Sequence, residues 1–449
     1  MRINLALALC LSLTLTWSAW AQPSEKNQRA AELLSQQRYA DCLPLFRELV
    51  ETEGPRLDLL LGLSESLSGT GALPEALELS ERLLKLYPQN AESYAERAEL
   101  LALSGQFQES LSALNKAVEL QPNQPYHYVA RGYTLADLYR FQEANADFAK
   151  AAQLKPDLGI AYSGLAYTGM QLGELEKATA DVEKALSLEP DLVPALHTRA
   201  ELYSQQRRYD ESLRDFSKAI KLSDSNCYLY TGRGAVYRIL ARHEDSLSDY
   251  NRAIELQPEV ADFYTARAQL FEEMQRPDEA LADHNRAIEL AGNGDAKALL
   301  QRASYLLRAG KVEQALRDYD AGLAIDQSLS WAFLGRGQAK AALKDYAGAV
   351  ADFDQALKLQ PELLYGYVAK ANALSASGDL EQATLPLVHV LGEAPDYCPG
   401  HLSMGYLWQA KGKPERAREC FEEALKCAGD PSQRQEAERA LESVLGNKE

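Results

Sequence analysis

The 449-residue sequence predicts an all-α solenoid, a stack of about twelve antiparallel helix pairs closed by one further helix, and two observations carry that prediction. The first is a series of small residues returning at one interval. Ala98, Gly132, Ala166, Ala200, Gly234 and Ala268 stand 34 residues apart, and after one step of 35 the series continues as Ala303, Gly337, Ala371 and Gly405. The second is that other series hold the same phase. Tyr94, Tyr128, Tyr162, Leu196, Tyr230, Tyr264, Leu299, Phe333, Tyr367 and His401 form one; Ala76, Ser110, Ala144, Ala178, Ser212, Ser246, Ala280, Ala315, Ala349, Ala383 and Ala417 form another. Pro88, Pro122, Pro156, Pro190, Pro258, Pro361 and Pro395 close most units.

Within a unit the apolar residues recur at three, four and seven positions, the period of an amphipathic helix, twice over with a short break between. In the unit 125–158 the first helix carries Tyr128, Gly132 and Leu135, and the second carries Ala144, Phe148 and Ala151. Small residues at a helix crossing let the axes approach, and aromatic rings fill the space beside it. A closing proline cannot continue the second helix, and no unit can bury its faces alone, so each must stack on its neighbours. Taken in order, the units fall near 23–56, 57–90, 91–124, 125–158, 159–192, 193–226, 227–260, 261–295, 296–329, 330–363, 364–397 and 398–431. The ten from 91 onward fit well. The second unit keeps Leu60, Ala76 and Pro88 but has Ser64 at the small position, and the first shows Ala30, Tyr39, Phe46 and Leu49 with Cys42 in an alanine slot. Residues 432–449, with Ala437, Leu441 and Leu445 on one face, read as a capping helix.

The pattern of an aromatic or Leu, a small residue, Ala, an aromatic, Ala and a closing Pro resembles the tetratricopeptide repeat family over nearly the whole chain from residue 22 to 431. The resemblance implies a right-handed superhelix whose first helices line a concave wall, and a non-catalytic scaffold that binds a partner peptide or helix along it. Carried over residue by residue, the inward positions are Tyr126, Tyr133, Tyr167 and Met170, then Arg238 and Glu272, then Lys297, Arg308, Trp331, Leu334, Tyr365, Val368 and Tyr406. The C-terminal part, Trp331 through Tyr365 to Tyr406, is the expected main surface, because Ala341, Ala342, Ser375, Ala376 and Ala410 would leave a recess between the rings. Lys297 and Arg308 are the expected inward cations. Members that hold a peptide C-terminus use Lys and Asn; here Val368 precedes Asn372, so that clamp is not expected. The alternative is an adaptor of an envelope polysaccharide-export or secretion machine, with the aromatics contacting saccharide.

Two departures from the family pattern stand out. Arg replaces the usual Leu just before the small residue at Arg131, Arg199, Arg233, Arg267, Arg302 and Arg336, and each of those units also carries an Asp: Asp147, Asp215, Asp249, Asp283, Asp318 and Asp352. Their joint appearance predicts an ion pair across each helix pair rather than a recognition stripe. The other departure is Ala291-Gly292-Asn293-Gly294-Asp295, where one residue is inserted and the proline is lost.

The formal charge of −18 makes nucleic acid and anionic membrane surfaces poor partners. At the start, Met1-Arg2, the apolar run Leu5–Thr16 and Ala19-Trp20-Ala21 read as an export signal cut between Ala21 and Gln22, giving a periplasmic or secreted protein. The run is shorter than the roughly 20 apolar residues of a membrane helix, and no later stretch is apolar enough to span. Beyond the leader stand Cys42, Cys227, Cys398, Cys420 and Cys427, an odd number that leaves at least one thiol unpaired or linked to another chain. Antiparallel packing of the last pair should bring Cys398 and Cys427 together, and a disulfide is expected there. No histidine pair at ligand spacing, phosphate-cradling loop or nucleophile elbow is present, so no catalytic residue, metal or cofactor is expected.

Overall fold

The computed structural model describes residues 24–292 and 295–445; the expected cut between Ala21 and Gln22 lies outside the described residues. The described chain contains 25 helices and no strand, and it divides at Leu256/Gln257 into two compact units. Seven antiparallel pairs make up the first, from Glu25–Ser35 with Tyr39–Glu53 to Cys227–Ile239 with His243–Leu256. The second holds five pairs, from Ala261–Glu273 with Pro277–Ala291 to Cys398–Ala410 with Pro414–Cys427, followed by Pro431–Leu445. Each unit is the all-α repeat array that the periodicity predicts.

The recurring small residue meets the aromatic of its partner helix. A Cβ added to Gly132 would lie 2.9 Å from the Phe148 ring, one on Gly234 2.9 Å from Tyr250, and one on Gly405 2.3 Å from Phe421. Phe148 and Phe421 are fully buried, and a ring removed from water this way contributes about 1.5–3 kcal/mol. Serine in the alanine series has its own reason. The hydroxyls of Ser110, Ser212 and Ser246 donate to the carbonyls of Ala98, Ala200 and Gly234 at 2.7–2.8 Å, tying the second helix to the crossing point on the first.

A further period sits in the turn inside each pair. One residue per pair adopts positive φ: glycine at 71, 105, 173, 310, 378 and 412, but Gln37, Tyr139, Arg207, Ala241, Gln275 and Lys344 elsewhere. In the turn after Pro125–Asp137, Tyr139 N–H donates to Ala136 O and Arg140 N–H to Leu135 O, which caps the last carbonyls of the helix. That capping offsets the strain of a left-handed non-glycine residue.

Three local differences from the sequence expectation have clear causes. The final helix buries Ala437, Ala440 and Val444 against Leu402, Phe421 and Ala424, while Leu445 is exposed; the covered stripe follows three- and four-residue steps instead of a four-residue ladder. In the unit 364–397 the second helix begins only at Thr384, because Pro386 has no N–H to give the Gln382 carbonyl. At the insertion, the helix Pro277–Ala291 ends on Gly292 at φ +69°, and Asp295 caps the next helix by accepting from Lys297 N–H at 2.8 Å.

Candidate partner-binding site

First helices present register-equivalent side chains one repeat apart, and the structure separates these into two groups. Trp331 and Tyr365, 34 positions apart, are 41% and 44% exposed, and Tyr406 is 43% exposed. Tyr365 is held by Gln338, whose Nε2 donates to its hydroxyl at 3.0 Å, and Tyr406 rests edge-on against Phe421 with centroids 5.2 Å apart. Toward the C-terminal ends of the same helices Ala342, Asn372, Ala376 and Ala410 are exposed and Ala341 and Ser375 are half-buried, whereas Trp331 and Tyr365 stand in the first turns. Leu334 is half-buried against Phe353 and Ala373.

The remaining apolar candidates do not line a wall. Val368 is buried in a cluster with Leu374, Leu387, Val390 and Met404. Tyr126, Tyr133, Tyr167 and Met170 are buried as well. Tyr126 lies beneath Lys155, whose ammonium sits 5.3 Å from the ring and donates to the hydroxyl at 3.1 Å. Tyr133 packs edge-on into Phe148 at 4.9 Å, and Tyr167 against Phe141 at 6.3 Å. Tyr133 and Tyr167 hold the same register on adjacent repeats and neighbour one another.

The two expected cations are exposed, and each stands beside an acid. Lys297 Nζ pairs with Asp262 at 2.8 Å, and Arg308 pairs with Glu272, each partner lying on the preceding first helix. Glu272 also meets buried His284 at 2.8 Å, which holds its carboxyl below the ordinary range despite burial. Arg238, half-buried at the middle of the series, belongs to the first compact unit.

All six Arg–Asp pairs form, each with two N–H donors on two carboxylate oxygens at 2.6–3.0 Å. The aspartates are buried and pull the Arg131, Arg199, Arg233 and Arg336 pKa values further up. Sequence reasoning missed where the third nitrogen goes. In five pairs it reaches the second helix of the preceding repeat: Asn115, Glu183, Ser217, Asn285 and Asp320 accept from Arg131, Arg199, Arg233, Arg302 and Arg336 at 2.7–3.3 Å. Each such arginine is therefore a clasp between neighbouring repeats, and the signal was a polar residue 16 or 17 positions earlier.

One buried and two partly buried acids in the first unit were also missed. Glu96 is 6% exposed, and burial pushes its carboxyl up to about 7, opposed by Ser64 and assisted by Glu65. Burial also raises Glu99, with Glu96 and Glu65 adding repulsion. Farther along, burial raises Glu201 to about 7 and lowers His197, 3.6 Å away, to about 4. Among the described residues no group of three His, Cys, Asp or Glu is placed to hold a metal ion, and no helix is long and apolar enough to cross a membrane.

Two family models, both described as tetratricopeptide repeat, match the chain: one over residues 27–91, 65–125, 236–296 and 300–363, the other over 160–192 and 193–226. Together they cover well over half of it. The chain belongs to the tetratricopeptide repeat family. Among solved structures the APC/C hetero-tetramer Cut9–Hcn1 is similar at 13% identity over 96% of this chain and 99% of that one, TM-score 0.48. Yeast Tom70 is similar at 15% identity over 94% and 95%, TM-score 0.44. A tetratricopeptide repeat protein from Parabacteroides merdae is similar at 21% identity over 56% of this chain and 98% of that one, TM-score 0.43. No curated protein matches the sequence.

Proposed function

We propose that this tetratricopeptide repeat chain is a non-catalytic protein-interaction scaffold. Its partner, an extended peptide or a helix, lies along the first helices of the C-terminal unit against Trp331, Tyr365 and Tyr406. The observation that carries this reading is the contrast in exposure: Trp331, Tyr365 and Tyr406 are 41–44% exposed, whereas Tyr126, Tyr133 and Tyr167 are covered. Rigid aromatics that lose water on contact are the residues that most often dominate binding energy. Acids beside Lys297 and Arg308 offset their charge, so recognition rests chiefly on apolar contact and on hydrogen bonds from exposed Asn372 rather than on steering by positive charge. An exported location for this scaffold is supported by the apolar leader alone.

The test is capture of partners by crosslinking from the native host, comparing wild type with Trp331→Ala/Tyr365→Ala/Tyr406→Ala. Capture should be lost while circular dichroism and melting temperature change little. Capture that survives refutes the site, and a fold that collapses returns these residues to the core. Binding that persists in high salt, is lost on Trp331→Ala and involves no protein would point instead to a saccharide.

A further inference from the structure

Cys398 opens the helix Cys398–Ala410, and Cys427 ends the helix Pro414–Cys427 that packs antiparallel to it. The two ends therefore meet. Cys427 Sγ lies 2.7 Å from Cys398 Sγ, both residues being thiols in this structure. A single carbonyl holds them: Cys398 donates to Ala424 O at 2.9 Å and Cys427 contacts the same oxygen at 3.4 Å. Cys398 is buried and Cys427 is half-exposed. Of the other cysteines, Cys42 sits 3.1 Å from the Ser66 hydroxyl and Cys420 packs beside the Val368–Leu407 cluster.

We propose that Cys398 and Cys427 form a reversible dithiol–disulfide couple, oxidised by a low-molecular-weight disulfide of the glutathione class. The placement assigns the steps. The half-exposed Cys427 thiolate attacks one sulfur of oxidised glutathione, breaking that S–S bond and releasing one glutathione thiolate. Cys398 then attacks the Cys427 sulfur of the mixed disulfide, forming the internal bond and releasing the second glutathione. Two electrons pass from the protein thiols to glutathione, and the two thiol protons go to the departing thiolates. Burial pushes the Cys398 thiol up, with Cys427 and Asp430 adding to it, so Cys398 is the poorer first attacker and the better placed second one.

The bond would close the two helices of the last pair, 29 positions apart in sequence, on one side of the buried Phe421. Closing a loop of that size constrains the unfolded chain more than the folded one. Tyr406 rides on the first of these helices and leans on Phe421 of the second, so the bond also fixes the seat of one exposed aromatic.

The test uses the full chain equilibrated in glutathione buffers from fully reduced to fully oxidised, quenched in acid, alkylated with N-ethylmaleimide and mapped by mass spectrometry without reduction. A peptide linking Cys398 to Cys427 should accumulate with oxidised glutathione while Cys42 and Cys420 remain alkylated. The oxidised protein should melt about 5–10 °C higher in its C-terminal transition, and Cys427→Ser should show no such shift. Separate alkylation or glutathionylation of the two cysteines at the most oxidising ratio overturns the proposal. So does a bridge joining two chains, or a shift that persists in Cys427→Ser.

Discussion

The pair Arg233–Asp249 is a case in which the energy of one clasp can be worked out and measured. Nε and Nη2 of Arg233 each donate to one Asp249 oxygen at 2.8 Å, and Nη1 donates to Ser217 Oγ at 3.1 Å in the preceding repeat. The Asp249 side chain is 6% exposed and that of Arg233 19%. An exposed pair is typically worth 0–1 kcal/mol, which sets the expectation from sequence alone. The geometry raises it. Asp249→Ala removes two charge-assisted hydrogen bonds of roughly 1.5–3 kcal/mol each, but the guanidinium keeps Ser217 and some water, so the net cost should be about 2–3 kcal/mol. Arg233→Ala strands a carboxylate with almost no access to solvent, and it also loses the stack on Tyr230 and Tyr237 at 5.9 and 5.8 Å. Its cost should lie at about 3–5 kcal/mol, above that of the aspartate change.

The assay is a double-mutant cycle by urea unfolding, followed by circular dichroism at low salt and at 1 M salt. The coupling energy should be about 2 kcal/mol and survive high salt, because ions cannot screen a pair that solvent barely reaches. Lys177–Glu174, 55% and 48% exposed, is the control and should couple by less than about 0.5 kcal/mol. Since Arg233 also joins two repeats, its loss should split one transition into two, as expected where nearest-neighbour coupling holds an array together. A coupling below about 0.5 kcal/mol for Arg233–Asp249, or one that vanishes in salt, would refute the reasoning.

Two other outcomes are expected. Glu96 has a folded pKa of about 7, above its ordinary 4.5, so its contribution is fully present below about pH 4.5 and lost as pH rises through 7; Glu96→Gln should therefore stabilise more at pH 8 than at pH 5, by on the order of 2 kcal/mol in urea titrations, and an equal effect at both would show that the carboxyl is not buried against Glu65 and Glu99. N-terminal sequencing of protein from its native host should begin at Gln22, and Met1 on a cytoplasmic chain would end the export reading.

The repeat was legible because its cause is local. A 3.6-residue period, a small residue at the crossing and a proline at the exit each constrain the chain within one helix pair. The Arg–Asp pairing was legible too, since both members lie within one unit. The clasp to the preceding repeat was less visible because its acceptor varies: Asn115, Glu183, Ser217 and Asp320 share only polarity. The turn residues hid for a similar reason. Gly105 announces a left-handed turn, but Tyr139 and Arg207 occupy the same conformation, and only their phase with the glycines gives them away.

Exposure at the site was harder to read, and the reason lies in how an array buries side chains. Tyr133, Tyr167 and Tyr406 occupy equivalent turns of their first helices, yet the first two are 2% and 6% exposed and the third 43%. Amphipathic period cannot distinguish them, because it describes one helix and the covering atoms come from the next. Tyr133 is followed one repeat later by Tyr167, and Tyr167 by Glu201, so each large side chain has a large neighbour against which to fold. One repeat after Tyr406 stands only Ala440 of the closing helix, and one repeat before it the shorter Asn372; the ring has Phe421 beside it and stays open on the rest. Burial in such a chain is therefore a property of a column of residues spaced by one repeat. Size along a column, together with period along a helix, distinguishes the covered tyrosines from the open one.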